Sequence, residues 1–257
     1  MKKLILTGLA AVVASSAWAI IGTVRTEADA RKGEIKWQPR DKSYAVTVVT
    51  KGGGSSHVVY PLASVVGLDI EKPKNFDRLV DLVRNKQGAS AIKGLEEIVQ
   101  TYKMLVWDKP AGRYLVQAYL AADQAKKAYE AARKIIDEDP TAAYVGELAP
   151  AYWRALRKNN ETTKLENCLR MAATNGDRVS SAEALLMRGD VIIEDGSGSI
   201  EAHRKALAEG FLRVALMYID PECKEVRRDA MNKCADSLDK IGHAARAEKM
   251  RSAARSL

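Results

Sequence analysis

Between Leu115 and Pro140 the chain carries apolar residues at helical spacing twice over, and that pairing limits most strongly what the rest can form. Leu115 and Tyr119 lie one turn apart on a first helix. Ala125, Ala128, Tyr129, Ala132, Ile135 and Ile136 run along one stripe of a second helix that begins at Asp123 and is closed by Pro140. A hairpin of this kind hides its stripe only when another hairpin stacks upon it. The chain supplies the others. Trp153 and Leu156 lie on a helix ending at Asn159-Asn160, with Leu165, Cys168, Leu169 and Ala172 on its partner. Leu185, Gly189 and Ile192 precede a turn at Gly196–Ser199, read as an insertion, and Ala202, Ala206, Leu207, Phe211, Val214 and Tyr218 follow it. Met231, Cys234, Ala235 and Leu238 lead to Gly242, and Ala247, Met250 and Ala254 come after. Equivalent turns recur roughly every 34 to 40 residues, which predicts a helical solenoid rather than a four-helix bundle.

Upstream, Phe76, Leu79, Val80 and Val83 mark one helix face, and Ile92, Leu95, Ile98, Val99, Tyr102 and Leu105 a longer one. Gly88 separates the two, and Asp108-Lys109-Pro110 is expected to stop the second. Before Pro73 the pattern changes to short β-branched or aromatic runs between turn residues. Strands are predicted at Thr23–Thr26, Glu34–Gln38, Tyr44–Thr50, His57–Tyr60 and Leu68–Ile70, with Gly52-Gly53-Gly54-Ser55-Ser56 as a loop. Strand number and spacing resemble a small SH3- or Sm-like barrel.

The first nineteen residues read as an export signal. Lys2 and Lys3 precede an apolar run from Leu4 to Ala14, and Ala17-Trp18-Ala19 forms a small-x-small cleavage site. The run is short against the roughly 20 residues of a transmembrane helix, with an uncleaved anchor as the alternative. The domain organisation expected is therefore a signal peptide at 1–19, a small β domain at 20–72 and a helical repeat domain at 73–257. Losing Lys2 and Lys3 lowers the formal charge from +8 to +6. In an exported protein such an excess faces acidic proteins, cell-wall polymers and anionic lipid before nucleic acid. Cys168, Cys223 and Cys234 allow at most one internal disulfide, and the helical register of Cys168 and Cys234 favours buried thiols.

The hairpins resemble tetratricopeptide (TPR) repeats. Aligned on Pro140, the residues Leu115, Tyr119 and Ala128 match that family's pattern, Ala132 is compatible, and Val116 replaces its small residue. Its large aromatic falls on Gly112, a departure. The last hairpin matches at Ala235, Leu238, Gly242 and Ala247. The resemblance covers residues 110–255 and implies a mainly α, TPR-like solenoid behind a small antiparallel β unit. It also implies a groove lined by first-helix residues, which fall here on Arg113, Gln117, Arg154 and Arg157. Three arginines there would grip a carboxylate or an acidic peptide by paired N–H donors. Asp229, Asn232, Asp236 and Asp239 would reverse the sign further along, and Arg246, Lys249, Arg251 and Arg255 form a second basic face suited to anionic lipid headgroups.

Catalytic patterns are sparse. His57, His203 and His243 belong to no metal motif, so neither metal nor other cofactor is expected. Ser90–Lys93 and Ser237–Lys240 both spell Ser-x-x-Lys without the partner motifs of that chemistry. Gly52–Gly54 lacks the order of a phosphate loop, and Arg188-Gly189-Asp190 places its glycine where packing explains it. These features point to a non-enzymatic, protein-binding scaffold of the periplasm or cell envelope. A structural subunit of a surface assembly and an unrecognised cell-wall-active enzyme are the alternatives.

Overall fold

The structure, a computed structural model, describes residues 20–49 and 54–257. The stretch expected to be a signal peptide, residues 1–19, lies outside the described residues, as do Thr50 and Gly52-Gly53. Two compact units emerge: residues up to Pro73 together with Ile98–Asp108, and Lys74–Glu97 together with Lys109–Leu257.

In the first unit β1 (Ile21–Thr26), β2 (Ala30–Gln38), β3 (Ser43–Val49), β4 (Ser55–Pro61) and β5 (Val65–Ile70) form one antiparallel sheet in the order β4-β3-β2-β1-β5. A 3-10 turn at Leu62–Ser64 joins the two edge strands. All five expected strands are present; four are lengthened at their ends, while β3 starts one residue earlier than expected, at Ser43. Register sets Ile35 opposite Val46 and Val24 opposite Leu68. Alternation therefore sends Val24, Ile35, Tyr44, Val46 and Ile70 to one buried face. The segment after the helix fills that core: Leu105 is buried, and Tyr102, Met104 and Trp107 pack around it. Leu105 shares helical spacing with Tyr102, yet the helix ends at Thr101. Met104 and Val106 take left-handed conformations, and Asp108 accepts the Met104 N–H at 2.8 Å. Tyr44 O–H donates to the Met104 carbonyl, and Trp107 Nε1–H to that of Ile70, both at 3.0 Å.

The second unit is a run of helical hairpins, the mainly α architecture expected. Its members are α1 (Phe76–Arg84) with α2 (Gly88–Thr101, up to Glu97), α3 (Asp108–Ala121, from Lys109) with α4 (Ala125–Ile136), and α5 (Ala149–Lys158) with α6 (Thr162–Asn175). Then come α7 (Arg178–Asp195) with α8 (Ile200–Ala206) and α9 (Leu212–Met217), and α10 (Lys224–Lys240) with α11 (Ala244–Ser256). Pro110 sits in the first turn of α3, where its missing N–H is harmless, instead of stopping a helix.

One local device closes every hairpin. Lys86, Asp123, Asn160 and Ser197, each 37 residues after the last, take left-handed φ of 61, 55, 57 and 50°; Gly242 does so at 84°. Each donates its N–H to the carbonyl three residues back, at 2.9–3.1 Å: Val83, Leu120, Arg157, Glu194 and Asp239. The following residue donates to the carbonyl five back, at 2.8–2.9 Å: Leu82, Tyr119, Leu156, Ile193 and Leu238. That pair of bonds is a Schellman cap, which satisfies carbonyls a helix end leaves open. Asp123 is thus the turn and not the start of α4. The Gly196–Ser199 turn holds no insertion, since Ser197 falls on the 37-residue spacing; the extra residues come later, before Gly242.

Packing repeats at the same interval. Ala91, Ala128, Leu165, Ala202 and Ala247, five residues beyond each left-handed residue, are all buried. Leu95, Ala132, Leu169 and Ala206 form a second buried row. Arg251 stands in that row on α11, held by Asp236 and Asp239, so the closing helix turns a polar side outward. The repeat thus begins at α1, upstream of the stretch legible as TPR-like. Gly112 also has its reason: a Cβ there would lie 3.1 Å from Ile135 Cδ1, leaving no room for a large aromatic.

Candidate functional site

Because α3, α5 and α7 repeat at one interval, the same positions of successive helices line up. Gln117, Arg154 and Val191 form one row; Leu120, Arg157 and Glu194 a second; Ala121, Lys158 and Asp195 a third. All nine, with Val83, Lys86, Asn160, Thr162 and Leu165, line a cleft of about 820 Å³. An adjoining cleft of about 690 Å³ shares Gln117 and Arg154 and reaches the approaches to α5 and α7. It adds Arg84, Tyr114, Glu147, Asp177, Ser180, Glu183 and Glu222.

The expected groove residues separate here. Gln117, Arg154 and Arg157 come together, whereas Arg113 lines neither cleft and its Nε is buried without a hydrogen-bond partner among the described residues. Arg157 is committed within the protein: Nε donates to Glu194 Oε2 at 2.7 Å, and Asp195 lies 3.7 Å from the same guanidinium. Lys158 pairs with Asp123. Arg154 and Lys86 are exposed, and among the described residues neither side chain makes a hydrogen bond or ion pair.

Carboxylates mark the adjoining end, and sequence reasoning missed them. Glu183 is half-buried, and its carboxylate makes no hydrogen bond or ion pair among the described residues. Burial pushes its carboxyl above the ordinary glutamate value; Arg154 opposes that rise and Asp177 adds to it. Glu147 and Glu222 are exposed, and Asp177 caps α7 by accepting the Ser180 N–H at 2.7 Å. The missed signal was available in part: Arg157 and Glu194 stand 37 residues apart, so their pairing follows from the repeat.

The other singled-out residues have structural roles. Ser237 is buried and shares a 3.1 Å hydrogen bond with His203 Nδ1 across α8 and α10, while Ser90 sits exposed in the first turn of α2. A Cβ on Gly189 would lie 2.3 Å from the Phe211 ring, and Asp190 binds Lys233 at 2.8 and 2.9 Å. Arg188-Gly189-Asp190 is therefore a packed helix segment. Asp236 and Asp239 are held by Arg251, and Arg255 pairs with Glu248, which neutralises much of the α11 face. The three cysteines are free, and burial pushes the Cys234 thiol up to about 12. Among the described residues no group of three His, Cys, Asp or Glu side chains could hold a metal ion. No helix among them is long and apolar enough to cross a membrane.

No protein-family model and no curated protein matches the chain. Among solved structures it is similar to a Podosopora anserina putative kinesin light chain with nearly identical TPR-like repeats, at 16% identity and a TM-score of 0.44. That match covers 72% of this chain and 96% of the other. A point-substituted form of the same protein gives 15% identity, a TM-score of 0.45, and coverage of 72% and 95%.

Proposed function

We propose that this protein is a non-enzymatic adaptor of the bacterial cell envelope that holds a segment of another protein in the cleft across α3, α5 and α7. The carrying observation is that cleft, about 820 Å³ in volume, built from equivalent positions of successive helices and joined to a second through Gln117 and Arg154. Repeated positions give a partner evenly spaced contacts along one line, as a scaffold requires and a reaction centre does not. The export signal read at residues 1–19 supports the envelope location.

The test is photo-crosslinking in the native cell, with a crosslinker at Gln117 and a control at exposed Ser256. Proteins captured from Gln117, absent from the control and lost in Arg154→Glu, are the expected result. The same proteins from both positions would remove the cleft from consideration. One observation favours a second reading, the structural subunit: Leu216, Met217 and Ile219 are 63, 61 and 68% exposed, a cluster suited to self-association. Light scattering across a concentration series decides it, since a monomer throughout counts against the subunit.

A further inference from the structure

The two ends of the cleft carry opposite charge. Around Glu183 the lining holds four carboxylates, Glu147, Asp177, Glu183 and Glu222, against the guanidinium groups of Arg84 and Arg154. At the other end Lys86, Arg154, Arg157 and Lys158 face only Glu194 and Asp195. Internal pairing sharpens the contrast. Arg157 and Lys158 are already bound by carboxylates, so Arg154 and Lys86 remain open to a ligand at the basic end. At the acidic end Asp177 is occupied as a cap, while the carboxylates of Glu147, Glu183 and Glu222 make no hydrogen bond or ion pair among the described residues.

From this we infer that the cleft takes an extended partner segment bearing both signs, a lysine or arginine seated among Glu147, Glu183 and Glu222 and an acidic residue meeting Arg154 and Lys86. The inference rests on the protein-binding reading above and names the chemistry of the partner. A purely acidic peptide, which the three arginines of the first helices suggest, finds its counter-charges reduced by internal pairs and meets like charge at the far end. A purely basic one leaves Arg154 and Lys86 uncovered. A two-signed segment satisfies both ends, and its orientation is set by which end each charge reaches.

Four fluorescein-labelled peptides of equal length, bound to the full chain and followed by anisotropy, test this. One carries a lysine block, one a glutamate block, and two carry both blocks across a Gly-Ser spacer in opposite orders. One of the two-signed peptides is expected to bind about tenfold more tightly than either single-signed one and than its reversed twin, with the advantage falling as salt rises. The double variant Glu183→Gln, Glu222→Gln should lower affinity for that peptide several-fold and leave the glutamate peptide unchanged or tighter. Lys86→Gln should weaken the glutamate peptide instead. Helical circular dichroism checks that each variant is folded. A glutamate peptide bound as tightly as the two-signed ones, or binding indifferent to the double variant, overturns the inference. So does the absence of binding by all four. The crosslinks from Gln117 decide separately whether the cleft holds protein at all.

Discussion

From α1 to α7 the hairpin turns fall at an interval of 37 residues; between α7 and α11 the interval stretches to 45, from Ser197 to Gly242. The cap bonds do not change across that break, being 2.8–2.9 Å on the longer arc in every hairpin. The difference lies in how the added length is absorbed. Residues 207–211 form a π-helical segment between α8 and α9, and the chain then passes through Tyr218–Asp220 before a 3-10 turn at Pro221–Cys223. Arg178 fixes that connection, with its guanidinium on Asp220, on the Met217 carbonyl and over the Tyr218 ring. What repeats, then, is the turn, a local contest between helix termination and solvent; the interval is free to vary where packing accepts it. Packing shows the cost of the variation. Leu79, Val116 and Trp153 form a buried row along the earlier hairpins, and the next position of that row is Asp190, which needs Lys233.

The contrast predicts opposite outcomes for one substitution made in both regions. At Gly210 a Cβ would lie 2.7 Å from the Leu185 carbonyl oxygen and 3.0 Å from Gly189 Cα, both backbone atoms, so α7 and the π-helical segment would have to part. Gly210→Ala is expected to cost about 1–3 kcal/mol by urea titration. At Gly112, in α3, the nearest atom is the mobile end of Ile135, and alanine gains up to about 1 kcal/mol of helix propensity. Gly112→Ala is expected between neutral and slightly stabilising. Equal losses at both sites would mean that the π-helical crossing is no tighter than an ordinary hairpin.

A smaller effect sharpens the comparison of turns. Lys86 occupies the left-handed position with a side chain, at a cost of roughly 1 kcal/mol, while Gly242 occupies it without one. Lys86→Gly should stabilise and Gly242→Ala destabilise, each by about 0.5–1 kcal/mol. Equal and opposite shifts would show one cap geometry in both regions; no change at Lys86 would mean that its left-handed conformation carries no strain.

Much of this was legible in the chain. The paired helices from α3 to α11 follow from apolar spacing, and the five strands from alternation. The 37-residue interval can be read by sliding the chain against itself, which brings Ala91 over Ala128, Leu165 and Ala202. The Tyr102–Trp107 segment was not legible, since Leu105 keeps helical spacing while Met104 and Val106 adopt conformations their residue types rarely take. In the cleft, Gln117, Arg154 and Arg157 follow from the repeat, because helix faces are periodic. Glu147 escaped because it precedes α5, off the rows that periodicity marks. Glu183 lies on α7, but the position 37 residues before it is Gly146, ahead of α5, so it has no counterpart on the preceding first helix.

Glu183 allows the finest separation of the two ends of the cleft, because its charge is an internal burden as well as a candidate contact. Its carboxyl titrates above the ordinary value of 4.5, chiefly through burial, so the folded state binds its proton more tightly than the unfolded chain does. Around pH 7 the group is ionised in both states, and folding bears the desolvation of the anion. As pH falls through the raised folded value and then through 4.5, the wild type takes up that proton and recovers the lost stability. Glu183→Gln is therefore expected to melt slightly higher than wild type at pH 7, by the order of 1 °C, with the difference closing below about pH 4.5. A cation seated at Glu183 offsets the same burden. In the presence of the two-signed peptide the pH 7 advantage of the glutamine variant should shrink or reverse, since wild type then gains a counter-charge that the variant cannot use. A melting difference independent of both pH and peptide would show Glu183 to be solvated and the acidic end of the cleft to be ordinary surface.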